Sequence, residues 1–305
     1  MQIIQESEQC ILMKFKNHTG RGQIRAYEVF PGILLSYSDF SLEQYESNYA
    51  QKKEMFGFEY CLDGKIEWER QDGRSVFLGP GSFMPYDYEK NNGKFQFPMH
   101  HYKGISFGIQ TEKIKEALPK KFPVDLLTLK DHLQMGVNLD LSRNPQAAYV
   151  LGLVQEAEDQ DDIYRKLACL ELLLFLRDLK WSEDHASFVY LSKTQVIKVK
   201  KAARMILDNL DHRYTLKELS NAENIPITTL RRCFEGIYGC SAMEFAKKHR
   251  VEEAKRLLRE TNKSTTEIAG MLGYDNPSKF ASMFRSITKL SPQTYRDAAF
   301  EQNGV

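Results

Sequence analysis

Two stretches of this 305-residue chain follow one plan, and that repetition limits the fold more than any other feature. The later copy runs I-A-G-M-L-G-Y-D-N-P-S-K-F-A-S-M-F-R-S-I-T-K-L-S-P-Q-T-Y-R from Ile268 to Arg296. It reads as a short apolar helix, a Gly-Tyr turn, a second helix and a Ser-Pro helix start, the layout of a helix-turn-helix. The second helix is expected to open at Pro277, because proline loses nothing in a first turn, with Asp275 and Asn276 as cap residues before it. Phe280, Met283, Phe284 and Ile287 recur at three- and four-residue spacing and form one face to be buried. Ser278, Ser282 and Arg285 lie opposite, with Lys279 to one side. That face is small, polar and basic, as suits an element entering a major groove. Taken alone, it equally describes an ordinary amphipathic helix with a solvated side.

The earlier copy, T-L-K-E-L-S-N-A-E-N-I-P-I-T-T-L-R-R-C-F-E-G-I-Y-G-C-S-A-M-E-F, removes much of that ambiguity. Leu219-Ser220 matches Ile268-Ala269, Leu230 matches Phe280, Phe234 matches Phe284, Ser241 matches Ser291 and Phe245 matches Tyr295. The offset is 49 residues at first and 50 after one insertion. A fixed internal period is a fold-level signal. In this copy Leu230, Cys233, Phe234 and Ile237 form the apolar stripe, Thr228 and Arg232 lie opposite, and Thr229 and Arg231 flank them. The connector, about Ser241 to Arg259, has Val251, Ala254 and Leu258 on one stripe and no internal Gly or Pro. It is expected to be one continuous helix that fixes the two units relative to each other.

These words resemble the DNA-binding domain of the AraC/XylS transcription regulators: L-K-E-L-S, T-L-R-R-C-F and R-V-E-E-A-K-R-L-L, then E-I-A-x-x-L-G-Y, K-F-x-x-x-F-R and S-P-x-x-Y-R. The match covers roughly the last hundred residues, with both halves in order. The resemblance implies two recognition helices in successive major-groove segments on one face of DNA. It places Thr228, Thr229, Arg231 and Arg232 on the first and Ser278, Lys279 and Ser282 on the second. Three positions depart from the family pattern. Lys289 stands where Gly is usual after the second recognition helix, at a turn where a side chain is disfavoured. Glu235 and Gly236 replace a basic residue and a helix former, and Pro226 replaces a Ser-type cap.

Charge divides along the same line. Residues 195–300 hold 19 Lys plus Arg against 12 Asp plus Glu, a balance of +7, and the remainder sums to −6. A basic end supplies phosphate attraction, and an acidic end does not compete for the duplex. The chain has room for two domains. M-Q-I-I-Q-E-S-E-Q-C lacks a basic segment followed by a long apolar core, so no secretion signal is expected. Cys10, Cys61, Cys169, Cys233 and Cys240 are widely spaced without a C-x-x-C, which suggests reduced structural thiols in a cytoplasmic protein.

Residues 20 to 110 read as β-rich: I-L-L-S-Y, F-G-F-E-Y-C-L, K-I-E-W-E and S-V-F-L are separated by turn signals. Asp63-Gly64 and Asp72-Gly73 suggest hairpin turns, and Gly79-Pro80-Gly81 marks a further connection. A sandwich or small barrel follows, which resembles the cupin-like sensor half of AraC-type regulators. No metal is expected. Phe83, Met84 and Pro85 follow Gly79-Pro80-Gly81 with no histidine, and His100 and His101 are adjacent, so on a strand they point to opposite faces. No Ser-His-Asp set or phosphate-cradling Gly loop is present, and neither catalysis nor a cofactor is expected. Aromatics such as Phe56, Phe58, Tyr60, Trp68, Phe77, Phe83, Tyr86 and Tyr88 either line a ligand cavity or form core. Helices are expected at Thr111 to Leu118, Pro145 to Glu158 and Asp161 to Leu179. The last has an apolar surface wider than one stripe, to be buried within its domain or against a second copy; the resemblance implies subunit pairing. Trp181 to Lys193 reads as a linker, and Val196 to Leu210 opens the DNA-binding domain.

The sequence therefore predicts an α+β chain. A sensing and dimerisation domain spans 1–180, with a cupin-like β-barrel or sandwich at about 20–110 and helices at 111–180. A linker at 181–194 leads to an all-α tandem helix-turn-helix domain at 195–300. The expected function is a sequence-specific transcription regulator under small-molecule control. Its partners would be double-stranded DNA, an unidentified effector and a second copy, with RNA polymerase a candidate. The alternatives are a cupin-type enzyme with an appended DNA-binding domain and a DNA binder without an effector.

Overall fold

Strand alternation and helix periodicity sort the chain into two units, Met1–Lys193 and Thr194–Val305. The computed structural model describes residues 2–46, 55–69, 74–87, 94–113, 117–118, 121–134, 138–181 and 191–302. In the first unit the strands run β1 (Gln2–Gln5), β2 (Cys10–Asn17), β3 (Gly20–Phe30), β4 (Ile33–Ser41), β5 (Gln44–Glu46), β6 (Met55–Gly64), β7 (Ile66–Glu69), β8 (Arg74–Leu78), β9 (Ser82–Asp87), β10 (Lys94–Gln96) and β11 (Tyr102–Gln110). Then come α1 (Leu126–Gln134), β12 (Leu139–Asp140), α2 (Pro145–Glu156), α3 (Asp162–Asp178) and β13 (Leu191–Ser192). One sheet has the order β1-β2-β3-β4-β11-β6-β9-β12 and the other β13-β8-β7-β10-β5.

The period-two pattern gives the large sheet two unlike faces. Leu35 and Tyr37 of β4, Phe58 and Tyr60 of β6, and Ile105 and Phe107 of β11 share a core with Leu129 of α1, Val154 of α2 and Leu172 of α3. On the other face Phe15, Phe40, Cys61, Met84 and Tyr102 meet Ile66, Val76 and Leu78 of the small sheet. The unit is layered: small sheet, large sheet, helices. The Tyr37 hydroxyl donates to the Val154 carbonyl at 2.7 Å and ties α2 to the sheet. Asp161 caps α3 by accepting from the Ile163 and Tyr164 amides, as the acidic start of that segment suggested.

Several expectations change. Strands begin at Gln2 rather than near residue 20. β1 and β2 pair over Gln2–Gln5, adding an edge strand whose own side chains, Ile3 and Ile4 included, are exposed or half-buried. The two sheets face each other without a strand pair joining them among the described residues, so no closed barrel forms. Asp63-Gly64 is not a hairpin turn between paired strands: β6 pairs with β11 and β9, whereas β7 pairs with β8 and β10, so the chain changes sheets there. Gly64 takes φ 75° at that crossing. Asp72-Gly73 lies outside the described residues, as does Tyr88. Of the helix expected at Thr111 to Leu118, Thr111–Lys113 form a 3-10 turn and 114–116 lie outside the described residues. The Lys113 ammonium meets Glu28 at 3.2 Å and its side chain lies against Gly32. Of the expected linker, 182–190 lie outside the described residues, and Leu191–Ser192 pair with β8.

The second unit is helical: α4 (Lys193–Asp208), α5 (Leu216–Ala222), α6 (Ile227–Tyr238), α7 (Ala242–Glu260), α8 (Thr265–Met271), α9 (Pro277–Thr288) and α10 (Pro292–Gln302). The connector is one 19-residue helix, α7. Phe245 near its start packs on Phe234 and Tyr238 of the first copy. Val251, Ala254, Leu257 and Leu258 near its end join Ile268, Leu272, Phe280 and Phe284 of the second. No helix among the described residues is long and apolar enough to cross a membrane.

Lys289 closes α9 at φ 65°, where its counterpart Gly239 closes α6 at φ 71°. A β-carbon in the left-handed region costs roughly 1 kcal/mol. Lys289→Gly is therefore expected to stabilise the chain by about 0.5–1 kcal/mol, read as a higher urea midpoint; an unchanged or lower midpoint contradicts the strain assigned to Lys289.

Candidate nucleic-acid interface

Each copy is built from the same local chemistry. α5 and α8 open with capping boxes. The Thr215 hydroxyl accepts from the Glu218 amide at 3.2 Å while the Glu218 carboxylate accepts from the Thr215 amide at 2.6 Å. Ser264 and Glu267 repeat the arrangement at 3.2 and 2.7 Å. These hydrogen bonds, led by the one from the Thr215 or Ser264 amide, hold both carboxyls below the usual range. The turns repeat as well: Ile225 N–H donates to the Ser220 carbonyl at 3.1 Å, and Tyr274 N–H to the Ala269 carbonyl at 2.9 Å. Asn224 and Gly273, 49 residues apart, both take positive φ, 46° and 73°.

The second helices then start differently. Asn276 caps α9 by accepting from the Ser278 and Lys279 amides at 2.8 and 3.4 Å, with Pro277 in the first turn. Pro226 precedes α6 and provides no side-chain cap. In α6 the stripe Leu230, Cys233, Phe234 and Ile237 is wholly buried. In α9 Phe280 and Phe284 are buried, and Met283 and Ile287 pack partly buried on the same core. The opposite faces are open to water. Thr228, Arg231 and Arg232 are exposed and Thr229 is half-buried; Ser278, Lys279, Ser282 and Arg285 are exposed. Each helix thus presents its own set on one side. Two residues join the α6 face beyond those singled out from the sequence: Ile227, exposed at the helix start, and Glu235, exposed one turn beyond Arg231 and Arg232. Their signal was available, since both fall on the polar side of the same helical period.

What holds the copies together lies elsewhere. Arg250 interrupts the apolar stripe of α7 between Ala246 and Ala254 and is only 8% exposed. Its Nε donates to the Leu210 carbonyl at 2.7 Å and an Nη to the His212 carbonyl at 2.9 Å. Desolvation lowers its pKa, yet carbonyl dipoles satisfy it and anchor the segment leading into the first copy. That segment meets the turn of the second. Arg213 Nε donates to the Gly273 carbonyl at 3.0 Å, and its guanidinium lies 4.3 Å from the Tyr274 ring centroid. A β-carbon on Gly273 would sit 1.9 Å from the Asp211 carbonyl oxygen. Sequence reasoning did not assign these roles; the one available signal was a lone arginine within an apolar stripe.

Tandem helix-turn-helix units on a shared helix, in a basic domain, define a DNA-binding domain of the transcription-regulator class. A helix-turn-helix domain model matches residues 219–298. The uncharacterized HTH-type transcriptional regulator YisR of Bacillus subtilis (strain 168) is 32% identical over 96 residues, covering 32% of this chain and 33% of YisR, so the match spans a third of that relative's length. The raffinose operon transcriptional regulatory protein RafR of Pediococcus pentosaceus is 27% identical over 267 residues, covering 84% of this chain and 91% of RafR. Among solved structures, the DNA-binding domain of the global transcriptional factor AdpA, in complex with a target DNA, is 25% identical and covers 34% of this chain and 95% of that one, with a TM-score of 0.33. Over residues 219–298 the chain carries a helix-turn-helix domain similar to those of AraC-type transcriptional regulators.

The Gly273 contact makes one substitution decisive. Gly273→Ala puts a β-carbon against backbone at positive φ and is expected to cost about 2 kcal/mol or more. Its signature is a lower thermal midpoint with the faces of α6 and α9 unaltered in sequence; wild-type stability in that variant would remove Gly273 from the lock between the copies.

Proposed function

We propose that this protein is a sequence-specific transcription regulator whose α6 and α9 read base edges in successive major-groove segments. Thr228, Thr229, Arg231 and Arg232 act from the first helix and Ser278, Lys279, Ser282 and Arg285 from the second. The observation that carries this reading is the pairing of two water-exposed polar faces on helices whose opposite sides are sealed into cores sharing α7. Affinity comes largely from phosphate attraction to the basic unit, and discrimination from the few side chains that reach bases. Arginine suits the bidentate acceptor pair of guanine, and short hydroxyl residues let a helix approach closely.

The first unit, in this reading, is a cupin-like sensor that binds a small-molecule effector. RafR, aligned over most of this chain, is named for a raffinose operon, which supports control by a metabolite. The same unit pairs two copies through α2 and α3. Ile163, Tyr164 and Leu167 of α3 are 67%, 57% and 58% exposed, and Tyr149 of α2 is 63% exposed. Leu170 and Leu174 continue the stripe half-buried. An apolar surface of this kind on neighbouring helices supports an isologous contact with a second copy. RNA polymerase is a further partner of such a regulator at a promoter.

Two measurements test this. In binding titrations on an operator recovered by selection from genomic DNA, Arg232→Ala is expected to lose about 1–3 kcal/mol on the selected site and much less on scrambled DNA. An equal loss on both, or none, removes Arg232 from base recognition. In sedimentation of the full chain, Leu167→Asp is expected to turn a dimer into a monomer with the thermal midpoint of the monomeric fold kept. A wild-type protein that sediments as a monomer at tens of micromolar would contradict the pairing surface.

A further inference from the structure

Strand register sets Ala26, Ser36, Ser106, Glu59 and Met84 side by side across β3, β4, β11, β6 and β9. Their neighbours in sequence, Leu35, Phe58, Ile105 and Phe107, point to the helices and are fully buried. The row itself turns toward the small sheet. Where apolar packing would fill that side, its middle is small and polar, and it includes a carboxylate. Glu59 accepts hydrogen bonds from the Tyr102 hydroxyl at 2.5 Å and from the Ser106 hydroxyl. The backbone makes room for this pair: a β-carbon on Gly104 would lie 2.3 Å from the Tyr102 hydroxyl oxygen and 2.8 Å from Glu59 Oε1.

Glu59 sits in an inner strand of a sheet covered on both faces, and Glu59, Ser36 and Ser106 are half-buried. Burial pushes the Glu59 carboxyl up, opposed only by the two hydroxyl donors. Among the described residues no lysine, arginine or histidine pairs with it. A buried carboxylate without a counter-charge is expensive, and an apolar side chain such as that of its neighbour Met84 would be cheaper for stability alone. Aromatic rings continue from the same place. Tyr102 contacts Phe97 at 5.9 Å between centroids, Phe97 stacks on Phe40 at 5.0 Å, and Tyr45 stacks on Phe95 at 5.5 Å. Ring faces attract cations as a carboxylate does. A neutral polyol would leave the Glu59 charge as unpaired as before.

We propose that the ligand held between the two sheets of the first unit carries an ammonium group, which Glu59 pairs while Tyr102 and Ser106 hold the carboxylate in place. This rests on the effector reading and narrows it to a chemical class.

The test is ligand binding by the full chain at pH 7.5, read by calorimetry and thermal midpoint, with putrescine and choline as ammonium probes and glucose and raffinose as neutral ones. At least one ammonium probe is expected to bind and raise the midpoint. Glu59→Gln, nearly the same shape, is expected to weaken that binding at least tenfold. Tyr102→Phe, which keeps the ring packing should Glu59→Gln fold poorly, is expected to weaken it severalfold. Ammonium affinity should also fall as the pH is lowered through the range where the carboxyl takes up its proton. Ammonium binding unchanged in both variants overturns the assignment. A response to glucose or raffinose alone, blocked by Ser36→Phe, overturns the ammonium class and leaves the effector reading standing. No response to any probe, together with operator affinity unmoved by Ser36→Phe, overturns both.

Discussion

The spacing of the two helix-turn-helix copies is set by burial along α7, and their use as a pair depends on it. One end of α7 gives Phe245 to the first copy's aromatic cluster, and the other gives Val251, Ala254 and Leu258 to the second copy's core. A single helix serving two cores cannot bend without opening one of them. Arg250 adds a polar constraint at its middle, because a buried guanidinium must keep its carbonyl partners at Leu210 and His212 or bear the desolvation unpaid. The loop so fixed is the one against which Gly273 packs. In the proposed reading, two helices that enter consecutive turns of a groove, about 34 Å apart, gain from this rigidity. Were the linkage flexible, the second contact would have to meet the cost of ordering it.

The first unit solves a different problem with one sheet. Its helix-facing side is filled by large residues such as Phe58, Phe107 and Ile109, against which α1, α2 and α3 pack. The other side is uneven, aromatic toward Phe40 and Tyr102 and small toward Ser36 and Ser106. Dense packing on the first side lets the second depart from it without losing the fold, since strand pairing and the helix layer already hold the sheet flat against its neighbours. The helix layer in turn shows water an apolar edge at Ile163 and Leu167. That edge is a surface feature with no role in the unit's own core.

Features encoded within a turn or two of chain were legible in the sequence. The start of α9 at Pro277, the buried stripes of α6 and α9, the unbroken α7 and the strained close at Lys289 follow from helical period, cap chemistry and backbone sterics. Features that depend on distant partners were not. F-G-F-E-Y-C-L reads as a strand, but nothing in it says that β6 lies between β11 and β9. Nothing in T-E-K says that Lys113 is held against Gly32 and Glu28, some eighty residues earlier. Gly273 reads as a turn residue, and its turn is real, but its lack of a β-carbon also matters to Asp211, more than sixty residues earlier. Arg250 was visible only as an anomaly.

The two copies also differ where they face water, in a way that follows from their geometry. Buried positions answer to the same α7, and they keep to large apolar residues: Leu230 and Phe280, Phe234 and Phe284. Exposed positions have no such common partner. Arg231 and Arg232 in α6 stand where α9 has Ala281 and Ser282, and Glu235 stands where α9 has Arg285. If α6 and α9 enter successive groove segments, as proposed, they never meet the same base pairs, and identical faces would serve only a repeated site. In that reading α6, with long guanidinium groups beside an acidic residue, suits selection among bases, and α9, with serines and an arginine near its end, suits a closer approach that leans on the backbone. The packing that fixes their separation is what allows their faces to differ.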